Sequence, residues 1–394
     1  MKWLPSVINS RWIDPLKALL NDSRSIGIIL LLCTILSLLV ANTADGASWL
    51  QFWQTPFHQL EKLYLPHTLL HWLNDGGMTL FFLLAGMEIK SELVGGELST
   101  FKKALLPIVA AIGGMLMPAL IYTICNFGTV YAQGWGIPTA TDIAFSLGIA
   151  SLLGRKLPSS LKIFLTALAI IDDLGAIVVI ALFYGGKLQL AWLLAVLVLI
   201  VALYFLFKRY QHPGWIHYLL GILLWYCLLN TGIHATVAGV VFAFFIPASH
   251  LHSLQQRLHK SVYFVILPAF ALANTAITFP EQMSIVITSS LSWGIMLGLF
   301  IGKPLGISLA CFLVVRLGYA QLPSLVKWKH MIGAGLLAGI GFTMSIFIST
   351  LAFGEQSTQD IAKISVLLVS SISMLCGFLW LKAACRQSTL RKTL

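Results

Sequence analysis

The chain is a succession of long apolar runs broken by short polar stretches. In the middle of one run, Ser159 to Tyr184, two aspartates stand side by side, Asp172 and Asp173. An α-helix rises about 1.5 Å per residue and crosses the roughly 30 Å hydrocarbon core of a bilayer in about 20 residues. A run of this length therefore spans, with both carboxyls near the midplane. Insertion scales put each charge there at roughly 2.5–3.5 kcal/mol. A single buried acid can be a structural hydrogen bonder, but two adjacent ones need something to neutralise them. The pair points to an ion or proton site, and to a chain that moves something small and positive.

Composition agrees with a membrane protein. Hydrophobic residues make up 58%, charged residues 10%, and mean hydropathy is +0.89, where a soluble chain carries about a quarter charged residues. Only helices and closed barrels satisfy their backbone in lipid, and long apolar runs are not the alternating strands of a barrel. The expected fold is an all-α polytopic membrane protein. The net charge of +11 sits at the ends of the apolar runs, so a nucleic-acid partner is rejected. Six cysteines with no CxxC read as small hydrophobes. There is no phosphate-binding glycine loop, and no cofactor is expected.

Twelve candidate spans follow, at roughly 25–42, 69–95, 104–126, 130–152, 159–184, 190–207, 214–229, 232–248, 258–276, 292–314, 330–353 and 361–383. The first reads as a retained span rather than a signal peptide. An even number places both termini on one side. With the N-terminus cytoplasmic, 21 of the 25 Lys and Arg fall inside, Lys62, Lys187 and Lys363 fall in outside loops, and Lys303 lies within a span. The whole chain, 1–394, reads as a single transmembrane domain with cytoplasmic termini. Its one long loop, 43–68, is rich in Trp and Phe and reads as an interfacial segment, or as a hairpin contacting another protomer.

Two spans look interrupted. The fourth holds Gly134, Gly136, Pro138, Thr139, Thr141 and Asp142; the eleventh holds Gly333, Gly335, Gly339, Gly341 and Thr343. Pro removes an intrahelical donor, and Gly lowers the cost of unwinding. Paired broken helices point to a transporter site between inverted-topology repeats, here about 104–184 and 292–383. The other reading of the glycines is close helix packing through small residues.

Four ionisable groups lie deep in spans: Asp142, Asp172, Asp173 and Lys303. Lys303 shares the depth of the aspartate pair, and pairing with one of them is the cheaper way to hold it there. Consecutive helical residues point about 100° apart, so one aspartate can take Lys303 while the other faces water and binds a cation. Asp142, in the break of the fourth span, would offset the partial positive charges of two half-helix N-termini, with Thr141 adding an oxygen. Carboxyls removed from water and set beside each other hold protons that exposed ones release. Protons and a sodium ion then exclude each other, which couples their flows.

The stretches 74-NDGGMTLFFLLAGMEIKSELVGGELS-99, 134-GWGIPTATDIAFSLG-148, 170-IIDDLGAIVVIALFY-184, 232-GIHATVAGVVFAFFIP-247 and 301-IGKPLGISL-309 resemble the NhaA-type sodium/proton antiporters, in this order and over essentially the whole chain. The resemblance implies twelve spans with inverted repeats and two discontinuous crossing helices. It also implies electrogenic exchange of Na+ or Li+ for protons across a bacterial inner membrane, sodium and pH homeostasis, and a homodimer. By motif position, Asp172 and Asp173 match the cation/proton carboxylates, Asp142 the acid in the helix break and Lys303 its lysine partner. Asp75 matches an acid lining the funnel, Glu88 and Glu92 a pH-responsive cluster at the cytoplasmic mouth, and His234 a histidine linked to the pH response. Two positions depart from the family pattern: Ser91 stands where a basic residue is usual, and Gln255 where an acid is usual. These put the usual alkaline activation in doubt, not transport itself. His250 and His252 form an HxH pair in a loop and read as incidental.

Two rival functions use the same features. A sodium-coupled symporter or a channel also needs midplane carboxylates and broken helices; proton release on sodium addition would separate it from an antiporter. An intramembrane aspartyl protease needs two aspartates converging on a peptide bond. Adjacent residues of one helix cannot converge, and neither Asp142 nor Asp173 lies in a GxGD-type segment.

Overall fold

The computed structural model describes residues 23–210, 212–279 and 283–390. Lys2, Arg11, Lys17, Arg391 and Lys392, counted above as cytoplasmic, lie outside the described residues. Among those described, the chain is helical with no strand, apart from a single bridge between Pro56 and Thr68.

The distribution of side chains inverts that of a water-soluble protein. Outward faces are apolar: Leu32, Leu36 and Leu39 on the first helix and Leu116, Leu120 and Ile124 on a later one are exposed at helical spacing. The interior instead holds Asp75, Asp142, Asp172, Asp173, Lys303 and Lys363, together with many Ser and Thr hydroxyls. A lipid-facing exterior with ionisable groups turned inward is the arrangement the bilayer demands. Five helices among the described residues are long and apolar enough to cross a membrane, or up to seven if each of two bent pairs is one span.

The elements that position the site are α1 (Met78–Gly95), α2 (Phe101–Cys125), α3 (Ile143–Leu152), α4 (Ser159–Phe183), α5 (Val237–Phe245), α6 (Ala248–Ser261), α7 (Leu267–Asn274), α8 (Lys303–Arg316), α9 (Trp328–Ala338), α10 (Phe342–Ala352) and α11 (Gln356–Leu390). Helix α8 packs along α2, α2 also meets α4, and α5 packs on α1. The α2–α8 contact is close because small residues face each other: Gly113 lies against Gly306 and Ala310.

The fourth and eleventh spans are interrupted, as their glycines and proline lead one to expect. In the fourth, a 3-10 helix over Ala132–Thr139 gives way to extended backbone before α3 begins. In the eleventh, α9 and α10 are separated by Gly339–Gly341 and bent by 46°. Three wide turns of π-helix were not foreseen: Leu73–Gly77 ahead of α1, Val262–Ile266 between α6 and α7, and Gly298–Gly302 ahead of α8.

Other sequence readings are corrected. The eighth span, expected over 232–248, is helical only over the nine residues of α5. The loop expected after it is helical as α6, so His250 and His252 sit on a helix. Within 43–68, the stretch after the first short helix folds back on itself, closed by the antiparallel bridge of Pro56 with Thr68 and the Phe57 N–H donating to the His67 carbonyl at 2.6 Å. Gly46–Gln54 is a short helix turned 115° from the one before it, presenting Trp49, Phe52 and Trp53 as a cluster. Lys363, counted with an outside loop, is buried, because α11 begins at Gln356, two turns before it.

Candidate functional site

The two interruptions cross, and each supplies what the other lacks. Helix ends leave backbone groups without intrahelical partners, and in lipid no water completes them. At the end of α9, the Ala338 carbonyl accepts from the Thr141 hydroxyl at 2.8 Å, and the Ile340 carbonyl accepts from the Asp142 N–H at 2.7 Å. The Ile137 carbonyl of the other break accepts from the Ser345 hydroxyl at 2.7 Å.

Asp142 completes both half-helix N-termini at once. It is the N-cap of α3, its Oδ1 accepting the Phe145 N–H at 3.1 Å. Its Oδ2 accepts the Thr343 N–H of α10 at 3.0 Å and also the Thr343 hydroxyl. Both oxygens are therefore engaged. One carboxyl group stands where the positive ends of two helix dipoles converge.

Lys303 reaches this crossing from α8, entering just after the wide turn Gly298–Gly302. Its Nζ donates to Asp172 Oδ2 at 2.5 Å and to Thr141 Oγ1 at 2.8 Å. The lysine and Asp172 are each 1% exposed. Asp173, the next residue on α4, is 2% exposed and turned into a small enclosed pocket that Asp142 and Thr343 also line. The Oδ1 atoms of Asp172 and Asp173 are buried without a hydrogen-bond partner. Buried acceptors are rarely left in that state, and a proton or a metal ion completes them. The crossing thus holds a neutralised carboxylate, a capping carboxylate and an open one.

A family model described as Na+/H+ antiporter 1 matches residues 17–381. The Na(+)/H(+) antiporter NhaA of Cytophaga hutchinsonii is 48% identical over 377 residues, 94% of this chain and 96% of that protein. The chain belongs to the NhaA family. Another member, from Dechloromonas aromatica, is 47% identical over 370 residues (91% and 93% of the two chains). The NhaA of an Escherichia coli O139:H28 strain is 44% identical over 379 residues (93% and 98%). NhaA proteins are transporters, not enzymes, and the membrane-embedded multi-pass helices described above fit that class.

Of the other positions matched to the NhaA pattern, Glu88 borders the Asp173 pocket and the rest lie elsewhere. Asp75 lies in the wide turn ahead of α1, away from the aspartate pair. Its carboxylate sits between His234 Nδ1 at 3.8 Å and His71 Nε2 at 3.6 Å, on the wall of a cavity of about 930 Å3. His71 gave no sequence signal beyond its i, i+4 spacing to Asp75. Glu88 and Glu92 lie on α1, but only Glu88 lines the pocket of Asp173. Glu92 turns back to accept the Glu97 N–H at 2.8 Å. Ser91 is exposed, and Gln255 is half-buried on α6. Sequence reasoning missed Tyr263, which lines the Asp173 pocket.

Proposed function

We propose that the chain is an electrogenic antiporter that exports Na+ or Li+ in exchange for external protons, through competition at Asp172 and Asp173. The supporting observation is the unequal state of the pair: Asp172 is held by Lys303, while Asp173 faces a pocket with an oxygen that no donor reaches. A cation at Asp173 and a proton there exclude each other. If only loaded forms change facing, ion flow one way drives proton flow the other. The pair offers more than one protonatable carboxyl, so one ion can displace more than one proton and carry net charge. No resident cofactor enters this scheme; Na+, Li+ and H+ are substrates.

The architecture proposed with it is a single domain of twelve spans, each broken or π-interrupted helix counted once. In both 104–184 and 292–383 a broken span lies between two long helices, which supports inverted repeats with α3 and α10 opening the second halves of the crossing spans. Asp142 and Thr141 support the crossing electrostatically. Asp75 and His234 belong to the funnel, and Glu88 and Glu92 to the pH response. The Lys and Arg asymmetry supports cytoplasmic termini in a bacterial inner membrane, and the family resemblance supports a homodimer.

The test is dye-monitored ΔpH in inverted vesicles, with Na+, Li+ and K+ added across a range of pH. Na+ and Li+ should collapse the gradient and K+ should not. With one competing proton, the apparent KM for Na+ should rise up to about tenfold per pH unit on the acid side. A folded, inserted protein that leaves the gradient untouched by Na+ at every pH would overturn the proposal.

A further inference from the structure

The pocket in front of Asp173 has more oxygen ligands than the aspartate pair supplies. Its polar lining is Asp173, Asp142, Thr343, Glu88 and Tyr263; its other walls are apolar side chains such as Phe81, Leu267 and Met344. Asp142 is committed to three donors, two of them from Thr343, and Asp172 is committed to Lys303. The side-chain oxygens left free to face an occupant are those of Asp173, Glu88 and Tyr263.

Each has been left free by its surroundings. Lys90, two residues from Glu88, donates instead to the Phe244 and Ile246 carbonyls at 2.6 and 2.5 Å. Among the described residues, Glu88 has no ion pair, and the Tyr263 hydroxyl makes no hydrogen bond. Tyr263 is 8% exposed; its ring rests against His259, with centroids 4.4 Å apart, in the wide turn Val262–Ile266. Such turns re-aim a side chain by one position and recur at functional sites. Tyr263 lies in that turn and lines the pocket beside Asp173 and Glu88, among mostly apolar walls. A hard cation takes oxygen ligands, and an enclosure of this kind must replace its water with them.

Resting on the antiport reading above, we propose that Tyr263 and Glu88 are direct ligands of the transported ion. With Asp173 they form an oxygen-lined station that strips Na+ or Li+ of water and sets the preference between them. Glu88 supplies the second charge, and Tyr263 a neutral oxygen whose rigid ring fixes the pocket's size.

The experiment measures apparent KM and maximal rate for Na+ and for Li+ in inverted vesicles. The proteins are wild type, Tyr263→Phe, which keeps the ring, and Glu88→Gln. Both variants should raise the KM for Na+ roughly five-fold or more while maximal rates stay within about two-fold, since only uniform binding is lost. Tyr263→Phe should also change the ratio of the Na+ and Li+ KM values by about three-fold or more. Unaltered KM values for both ions, or lower maximal rates with KM unchanged, would overturn the ligand assignment. If Glu88→Gln fails to insert, Tyr263→Phe decides by the same criteria. A wild type without a Na+ response overturns the antiport reading itself, whereas a responding wild type with unaltered variants overturns this proposal alone.

Discussion

Lys303 Nζ lies 2.5 Å from Asp172 Oδ2, and the neighbouring carboxylate, Asp173, has no such partner among the described residues. One step along a helix turns a side chain by about 100°. That is enough to give the two acids different chemistry: one is an ion pair in a dry interior, the other an open acceptor on a pocket wall. The proposed exchange by competition rests on this asymmetry, because a fully neutralised pair would bind no cation and a fully open pair would be costly to hold in lipid.

Neutralising either aspartate should abolish exchange, but the two variants should differ in stability. Asp173→Asn replaces a buried carboxyl whose Oδ1 has no hydrogen-bond partner among the described residues, so the purified protein should melt at or above the wild-type temperature. Asp172→Asn leaves Lys303 buried without its counter-ion; breaking such a pair costs about 3–5 kcal/mol where the charge cannot escape. Thermal melts in detergent, read beside Na+-driven ΔpH, check both statements. Exchange surviving in either variant would overturn the competition scheme.

Removing both halves of the ion pair should be less damaging to the fold than removing one. Lys303→Ala should lower the melting temperature and impair proton coupling without ending Na+ binding, since Asp173 remains. Asp172→Asn combined with Lys303→Met should recover much of the stability lost in Asp172→Asn alone, because no charge is then stranded. Melts of wild type, Asp172→Asn, Lys303→Met and the double variant give the coupling directly. A double variant as unstable as the sum of the singles would mean that the two side chains do not stabilise each other.

The two breaks were legible from their Gly and Pro residues, and the place of Asp142 beside one of them from the sequence alone. The adjacent aspartates and Lys303 announced themselves by charge in apolar runs. The wide turns at Val262–Ile266 and Gly298–Gly302 were not legible: they change the hydrogen-bond register without a sequence cue, so the aim of Tyr263 stayed hidden. Lys363 was misplaced because the polar stretch Gln356–Asp360 looks like a loop, although it forms the first turns of α11. The eighth span was drawn too long, since apolar residues flank on both sides a helix confined to Val237–Phe245.

Asp142 should matter more to folding than to ion affinity. Asp142→Ala removes the acceptor for Phe145 N–H and for two Thr343 donors, and leaves two helix N-termini facing each other uncompensated. Each lost cap costs about 0.5–2 kcal/mol, so the variant should lose a few kcal/mol and accumulate poorly. Asp142→Asn keeps a carbonyl oxygen for one terminus and should fall between. Measured in the fraction that inserts, the KM for Na+ of Asp142→Asn should stay within a few-fold of wild type. A large rise in KM with normal stability would instead make Asp142 a direct ligand.

The α2–α8 contact should be the mechanical constraint on Lys303. A Cβ added to Gly306 would fall well inside van der Waals distance of the Gly113 carbonyl oxygen, and one added to Gly113 would fall 2.5 Å from the Ala310 Cβ. Neither obstacle is a flexible side-chain end, so the helices must separate. Gly306 lies one turn beyond Lys303, and the lysine stem runs beside Gly114, its Cδ 3.8 Å from where a Cβ would stand. Widening the contact therefore draws Nζ away from Asp172. Gly306→Ala should cost about 1–3 kcal/mol by overpacking and should slow exchange. Gly95→Ala, at the end of α1 where nothing lies within 4 Å, should do neither. Melting temperatures and ΔpH rates of the two variants, measured side by side, test the link. If Gly306→Ala were as stable and as active as Gly95→Ala, the close packing of α2 on α8 would not be what holds the lysine in place.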